Sequence, residues 1–231
     1  MMIDLHSHFL PQMDDGARSV NESIEMLVES KKQGVEVCVG TPHIAIHREK
    51  SIRSFLEKRS ESINVLEAKI KETNADVPKL FYGAEIFLDN DVSGYDGLSE
   101  LCIGDTNCLL VELSPMSYNT YYPEWLYSLS LKGIVPIIAH VERYPYIREF
   151  MGELDGVDVV YQINAKSLMK HKWRSFLAET YDNGKRVIVA SDMHNTRLRK
   201  CMLEKARHKL EKHHSDIVND VFFETQKEII K

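Results

Sequence analysis

Two histidines two residues apart, His6 and His8, follow Ile3-Asp4-Leu5 at the start of the chain. Ile3–Leu5 reads as a short buried strand, and residues two apart on a strand point the same way. Asp4, His6 and His8 are therefore expected to share one face. Imidazoles so placed can grip one cation, whereas ring nitrogens left unpartnered in a core are costly. A His-x-His is no metal site alone, so further ligands must come from elsewhere in the chain. His43, Glu85, Glu112, His140 and the Asp192/His194 pair each follow an apolar run. Taken singly, each has an ordinary reading as a loop histidine or a strand-end carboxylate facing water. Gathered on one rim they would repel one another or stay unpaired. Two or three divalent cations are the simplest account of such a set.

The elements that would gather them alternate along the chain. Strands are expected at Met2–Leu5, Val35–Gly40, Leu80–Ala84, Cys108–Val111, Ile134–Ala139, Asp158–Ile163 and Arg186–Ala190. Helical patterns lie between them, about Val20–Gln33, Ile52–Glu72, Tyr122–Leu131, Tyr146–Glu153 and Ser167–Asn183, and a polar helical stretch runs from Thr196 to the end. Ser19 and Glu22 suit a capping box at the first helix, and Gly34 suits its end. Ile52, Phe55, Leu56, Ile63, Leu66 and Ile70 supply the apolar stripe of the second. Seven strands alternating with helices predict parallel β/α units. Runs such as Val187-Ile188-Val189-Ala190 fit strands covered on both faces. Six of the seven strand ends carry a His or a carboxylate. A closed parallel barrel brings those ends to one rim, where active sites sit, whereas an open sheet would spread them along a line. The expected fold is α/β, a distorted (β/α)7 barrel. With no repeat, low-complexity tract or linker, residues 1–231 read as a single domain.

Composition narrows the function. The 231 residues are 43% hydrophobic and 28% charged, with a net charge of −6 and no basic tract, which argues against general binding to nucleic acid or membrane surfaces. No apolar run could span a bilayer, and the N-terminus lacks a signal-peptide pattern. Cys38, Cys102, Cys108 and Cys201 form no CxxC pair, as in a reducing compartment, so a cytoplasmic location is expected. Cys201 and Arg207 match the C-x5-R spacing of cysteine phosphatases. The intervening Met202-Leu203-Glu204-Lys205-Ala206 lacks glycine and favours helix, whose interior offers no free amides to an anion, so the match reads as chance. His47, His171, His208, His213 and His214 are assigned to solvent. Tyr118, Tyr121 and Tyr122 could line a pocket or simply pack. Of Asp14 and Asp15, one could reach a metal while the other caps a turn beside Gly16.

The ordered set Asp4-x-His6-x-His8 with Asp14-Asp15-Gly16, Thr41-Pro42-His43, Tyr82-Gly83-Ala84-Glu85, His140-Val141-Glu142-Arg143-Tyr144 and Ser191-Asp192-Met193-His194-Asn195 resembles the PHP (polymerase and histidinol phosphatase) superfamily. It is most similar to the branch of bacterial protein tyrosine phosphatases from capsule and exopolysaccharide operons. The motifs run from residue 2 to about 199. Val141 departs from an expected proline and Met193 from a small residue, and neither change touches a ligand. The resemblance implies a PHP-type barrel holding up to three ions, manganese first among them, with iron, cobalt or zinc as alternatives. His6, His8, Glu85 and Asp192 would hold the first ion. Glu85 would bridge to a second, completed by Glu112 and His140, and Asp14, His43 and His194 would hold a third. Arg143 and Arg199 would bind the phosphoryl oxygens, although Arg199, at the start of a helical pattern, also suits a solvated or salt-bridged arginine. Three dications exceed the four carboxylates by two charges, which matches a phosphate monoester dianion. The implied activity is metal-assisted hydrolysis of phosphotyrosine by an activated water. The implied substrate is the tyrosine-rich tail of an autokinase controlling polysaccharide export. Alternatives are a small-molecule phosphatase of the superfamily, acting on histidinol phosphate or a sugar phosphate, and a catalytically silent kinase-docking module.

Overall fold

The computed structural model describes residues 1–47 and 49–230. Its strands are β1 (Met2–Ser7), β2 (Val35–Gly40), β3 (His43–Ala45), β4 (Lys79–Tyr82), β5 (Glu85–Phe87), β6 (Cys108–Glu112), β7 (Val135–Ile138), β8 (Val160–Asn164) and β9 (Arg186–Ala190). All pair in parallel, in two runs ordered β1-β2-β4 and β3-β5-β6-β7-β8-β9. The nine strands make seven staves. Thr41-Pro42 interrupts β2/β3, since proline has no N–H to give the ladder, and Gly83-Ala84 interrupts β4/β5. Across the breaks, Gly83 N–H donates to Gly40 O at 2.9 Å and Glu85 N–H to Pro42 O at 3.0 Å. Beyond β9, Asp192 N–H donates to His6 O and His8 N–H to Met193 O, both at 2.9 Å, which closes the barrel. The strand expected to end at Ala84 thus stops at Tyr82 and resumes at Glu85.

Alternation sorts the side chains. Leu5, Val39, Leu110, Ile137, Val160 and Ile188 form an apolar layer inside the barrel, while Leu109, Val111, Ile138, Tyr161, Val187 and Val189 face the helices. These helices are α1 (Val20–Lys32), α2 (Glu49–Thr73), α3 (Tyr122–Leu131), α4 (Ile147–Glu153), α5 (His171–Asp182), α6 (Leu203–Glu211) and α7 (Thr225–Ile229). At α1 the Ser19 hydroxyl accepts Glu22 N–H, and Glu22 accepts Arg18 N–H, one residue before the reciprocal capping-box position. Gly34, at φ +85°, ends that helix in the left-handed conformation that glycine adopts without strain. The apolar stripe of α2 packs on the core as expected.

Two helical expectations change. The segment at Ser167 is a 3-10 turn, Ala165–Met169, and α5 starts only at His171. Thr196–Met202 is a loop, and helix resumes at Leu203. Asn195 explains the loop: its Oδ1 accepts the N–H groups of Arg197, Leu198 and Arg199, the local competition by which Asn opposes helix. The chain end is amphipathic rather than wholly polar. Val221 and Phe222 enter the core, and Phe223, Ile229 and Ile230 close the bottom of the barrel.

Candidate metal centre

At the C-terminal mouth, the inner-face positions turn from apolar to ionisable. Glu112 continues the Cys108–Leu110 face of β6, and Glu85 continues the Phe81 face across the Gly83 break. His6 reaches the same face through an irregularity. Between the pairs Asp4↔Cys38 and Ser7↔Gly40, β1 has one residue more than β2. Such a bulge reverses the alternation, so Asp4 does not share a face with His6 and His8. It is fully buried, its Oδ1 accepting Ser191 N–H at 2.9 Å. Burial pushes the Asp4 carboxyl up to about 6. His140 follows the inward Ala139, and left-handed backbone at φ +31° turns its ring back into the mouth. Asp192 is left-handed as well, at φ +52°. Strain of order 1–3 kcal/mol at non-glycine residues of this kind concentrates at functional sites.

Glu85 is the centre of the cluster. Its carboxylate lies 3.1 Å from His6 Nε2, 3.2 Å from His8 Nε2, 3.1 Å from His43 Nδ1 and 2.9 Å from His140 Nε2. Glu112 stands 3.3 Å from His140 Nε2, and Asp192 3.6 Å from both His6 and His8. Burial works against the charge on Glu85, yet the imidazoles, His6 foremost, hold its carboxyl well below the usual range. Asp192 is lowered against its burial by His6 and His8 in the same way. In return, and again against burial, Asp14 and Glu85 push His8 up to about 10, while Glu112 and Glu85 push His140 up to about 9. The rim draws positive charge, whether protons or metal ions.

Hydrogen bonds at the far ring nitrogens test whether these residues suit metal. His8 Nδ1 lies 2.7 Å from Asp14 Oδ2, and Asp14, lowered to about 2 by His8 despite burial, can only accept. His194 Nδ1 faces the Asp192 carbonyl oxygen at 3.1 Å. In the neutral form of either ring the proton therefore sits on Nδ1 and Nε2 offers a lone pair. Burial and the nearby His8 push His194 down to about 3, so that ring stays neutral. Its buried Nε2 has no hydrogen-bond partner and faces Asp15 Oδ1 at 3.3 Å. A lone pair aimed at a carboxylate suits a cation between them, and the donor set fits divalent ions. Among the described residues, three groups of candidate ligand atoms, each within 4.8 Å of one another, are His6/His8/Asp192, His43/Glu85/Glu112 and His8/Asp15/His43/His194.

All nine residues expected as ligands meet at this mouth, with differences in grouping: His43 rather than His140 joins Glu85 and Glu112, and Glu85 lies outside the His6/His8/Asp192 group. Asp15 rather than Asp14 joins His8, His43 and His194. Asp14 is occupied by His8 Nδ1 and by the N–H groups of His43 and Gly16. Arg143 and Arg199, each about one-third exposed, flank the rim and fork onto opposite oxygens of Asp192, at 2.5 and 2.8 Å. Arg199 comes from the 196–202 loop, not a helix. Sequence reasoning missed Gln162 and Asn164, both buried, on β8. Their signal was alternation, since Val160, Gln162 and Asn164 share one side of a strand. Cys201 is buried, and burial pushes its thiol up to about 12. The tyrosines pack: Tyr118 contacts Tyr122, Tyr146 and Phe150 at the rings, while the exposed Tyr121 stacks on Trp125.

Comparison with known proteins places this arrangement. The tyrosine-protein phosphatase YwqE of Bacillus subtilis is 33% identical over 220 residues, which cover 91% of this chain and 84% of that one. The tyrosine-protein phosphatase CpsB of Streptococcus pneumoniae is 32% identical over 209 residues, covering 84% and 83%. A crystal structure from work on these two proteins, described as unique metal-dependent tyrosine phosphatases, superposes with a TM-score of 0.81 at 27% identity over 99% of this chain and 94% of that one. The family model for capsular polysaccharide synthesis proteins CpsB/CapC matches residues 2–231, and the chain belongs to that family.

Proposed function

We propose that residues 1–231 form one catalytic domain, a metal-dependent protein tyrosine phosphatase whose substrate is a phosphotyrosine-bearing protein, the tail of an autokinase of capsule or exopolysaccharide synthesis. The observation that carries the reading is the set of imidazole lone pairs turned onto carboxylates at one barrel mouth, flanked by two arginines. His6, His8, Glu85 and Asp192 would hold a first ion, Glu85, Glu112 and His140 a second, and His43 and His194 a third with an acid from the Asp14-Asp15 pair. Asp15 is the better placed of the two. The chemistry these residues would gain from divalent ions held there, manganese in our reading, would be a bound water acidified toward a nucleophile and an offset to charge on the phosphoryl oxygens.

The chain supplies the rest. Arg143 and Arg199 present forks that match phosphoryl oxygens bidentately. On binding, the dianion would compete with Asp192 for them. Asp14 holds the His8 ring in its Nε2-presenting tautomer. A phenolate of pKa about 10 leaves without a strong proton donor, so none of the buried tyrosines is required as an acid. With its thiol raised and buried, Cys201 is no nucleophile. Among the described residues no helix is long and apolar enough to cross a membrane. The four cysteines are free and buried, as in a reducing compartment, and on that ground we place the protein in the cytoplasm.

The test is metal analysis of the isolated protein coupled to an assay on a phosphotyrosine peptide, with and without chelator. Release of phosphate should stop with chelator and return with manganese. Asp192→Ala should abolish it, and Cys201→Ser should retain it. Faster turnover of histidinol phosphate than of the peptide would replace this reading with a small-molecule phosphatase. Binding of the phosphorylated peptide without release would make the protein a docking module.

A further inference from the structure

β8, Val160-Tyr161-Gln162-Ile163-Asn164, brings no His, Asp or Glu to the rim, either in its own sequence or in the Ala165-Lys166 that follows it. It nonetheless reaches the centre of the site. Gln162 Oε1 accepts the backbone N–H of His140 at 2.6 Å and lies 3.0 Å from His6 Nδ1. Gln162 Nε2 donates to Asn164 Oδ1 at 2.9 Å, and Asn164 Nδ2 donates to Asp192 Oδ2 at 2.8 Å. Asn164 is pinned at its backbone, where N–H donates to the Glu142 carboxylate at 3.2 Å, and Glu142 also accepts the Ser167 hydroxyl at 2.9 Å.

The direction of this relay is fixed at both ends. A backbone N–H can only donate, so the oxygen of Gln162 must face His140 and its nitrogen must face Asn164. An ionised carboxylate can only accept, so the nitrogen of Asn164 must face Asp192 and its oxygen must face Gln162. The two amides agree, with no flip left open. His6 Nδ1 then meets an oxygen and must carry the proton, which leaves the Nε2 lone pair toward Glu85, His8 and Asp192. One amide side chain thus ties three staves, β1, β7 and β8, and its neighbour ties β9.

We propose that Gln162 and Asn164 are positioning residues, an amide relay that sets the tautomer of His6 and the orientation of Asp192 so that both address the same ion. The proposal rests on the metal-centre reading above. Groups in this position, hydrogen-bonded to a ligand's far side, typically change metal affinity 10–100-fold when removed. Because the relay acts as a unit, its two members should not contribute independently.

The test uses the full chain stripped of metal with chelator, and manganese binding followed by calorimetry. Gln162→Leu and Asn164→Leu should each weaken binding about 10–100-fold, and the double variant should lose little more than the weaker single. Losses that multiply, or affinities within about twofold of wild type in folded protein, would overturn the relay. Nitrogen-15 NMR of the metal-free protein at pH 8 gives an independent readout. His6 should carry its proton on Nδ1 in the wild type and populate the other tautomer in Gln162→Leu. An unchanged His6 spectrum in that variant also counts against the relay. Should Gln162→Leu fail to fold, Gln162→Glu takes its place. It keeps the acceptor for His6 but sets an oxygen against Asn164 Oδ1, so the His6 tautomer should persist while manganese affinity falls as in Asn164→Leu. If the wild type bound no manganese, the metal-centre reading would fail, and the His6 spectra would still decide the tautomer claim.

Discussion

Each rim residue is defined by what its far side touches. Arg143 shows this most directly, since its guanidinium spans Asp192 and Glu112 at 2.5 and 3.7 Å and is still one-third open to solvent. It can receive an anion without unfolding anything. Arg143→Ala should lower kcat/KM on phosphotyrosine peptide by about 10²–10³, the usual cost of one transition-state donor, with bound metal unchanged by elemental analysis. Wild-type kinetics would remove Arg143 from the site. A second expectation concerns protons. His8 and His140 are raised to about 10 and about 9, so at pH 7.5 the folded, metal-free protein holds both rings charged. Ligation needs the lone pair, so each ring must give up its proton when it binds an ion. Metal binding should therefore release protons, and affinity should rise as pH climbs from 7 toward 9. Calorimetry in two buffers of different ionisation enthalpy measures this directly, and no buffer dependence would contradict the raised values.

At the scale of elements, the loop after β1 is as important as the strand. Gly16 has no room for a side chain. A Cβ there would fall 2.1 Å from His8 O, 2.6 Å from His8 Cβ and 2.9 Å from Asp14 Oδ1. Two of those atoms belong to His8 and the third to its hydrogen-bond partner, so Gly16→Ala must push the loop off the site. We expect bound metal per chain to fall and activity to drop at least tenfold while the circular dichroism spectrum stays that of an α/β protein. Normal metal content in that variant would show that the loop can yield without disturbing His8. Met193 illustrates the opposite case. It departs from the small residue expected in its motif, yet its side chain turns away from the mouth toward α1, where the Ser30 hydroxyl meets its sulfur at 3.2 Å. Only its backbone oxygen serves the barrel, by accepting His8 N–H.

For the whole molecule, the mouth depends on the opposite end. Gln226 of α7 is buried and donates to Val189 O of β9 at 3.2 Å and Val221 O at 2.7 Å, while Phe222 fills the core beside it. Phe222→Ala should cost about 3–5 kcal/mol, read as a lower denaturant midpoint at unchanged slope. A loss under 1 kcal/mol would mean that the C-terminal segment packs only superficially. β9 leads straight into Ser191-Asp192-Met193-His194, so the same variant should also weaken metal binding as the stave loosens.

Much of this was legible from residue types and spacing. Apolar runs at regular intervals announce parallel staves, because a strand covered on both faces admits little else. Histidines and acids at the ends of those runs announce a shared rim, because a closed barrel has one place where strand ends meet. Local pattern did not reveal what depends on partners far away in sequence. The extra residue in β1 exists only relative to β2, and it decides that Asp4 supports Ser191 while His6 faces the mouth. The left-handed turn at His140 overrides the alternation that Ala139 would otherwise impose. Thr196–Met202 has the composition of a helix but is held as a loop by one asparagine. Gln162 and Asn164 read as polar interruptions of a strand until β1, β7 and β9 close around them. Ligand chemistry resides in side chains and can be read from residue type. Which oxygen faces which nitrogen is set only when the barrel closes.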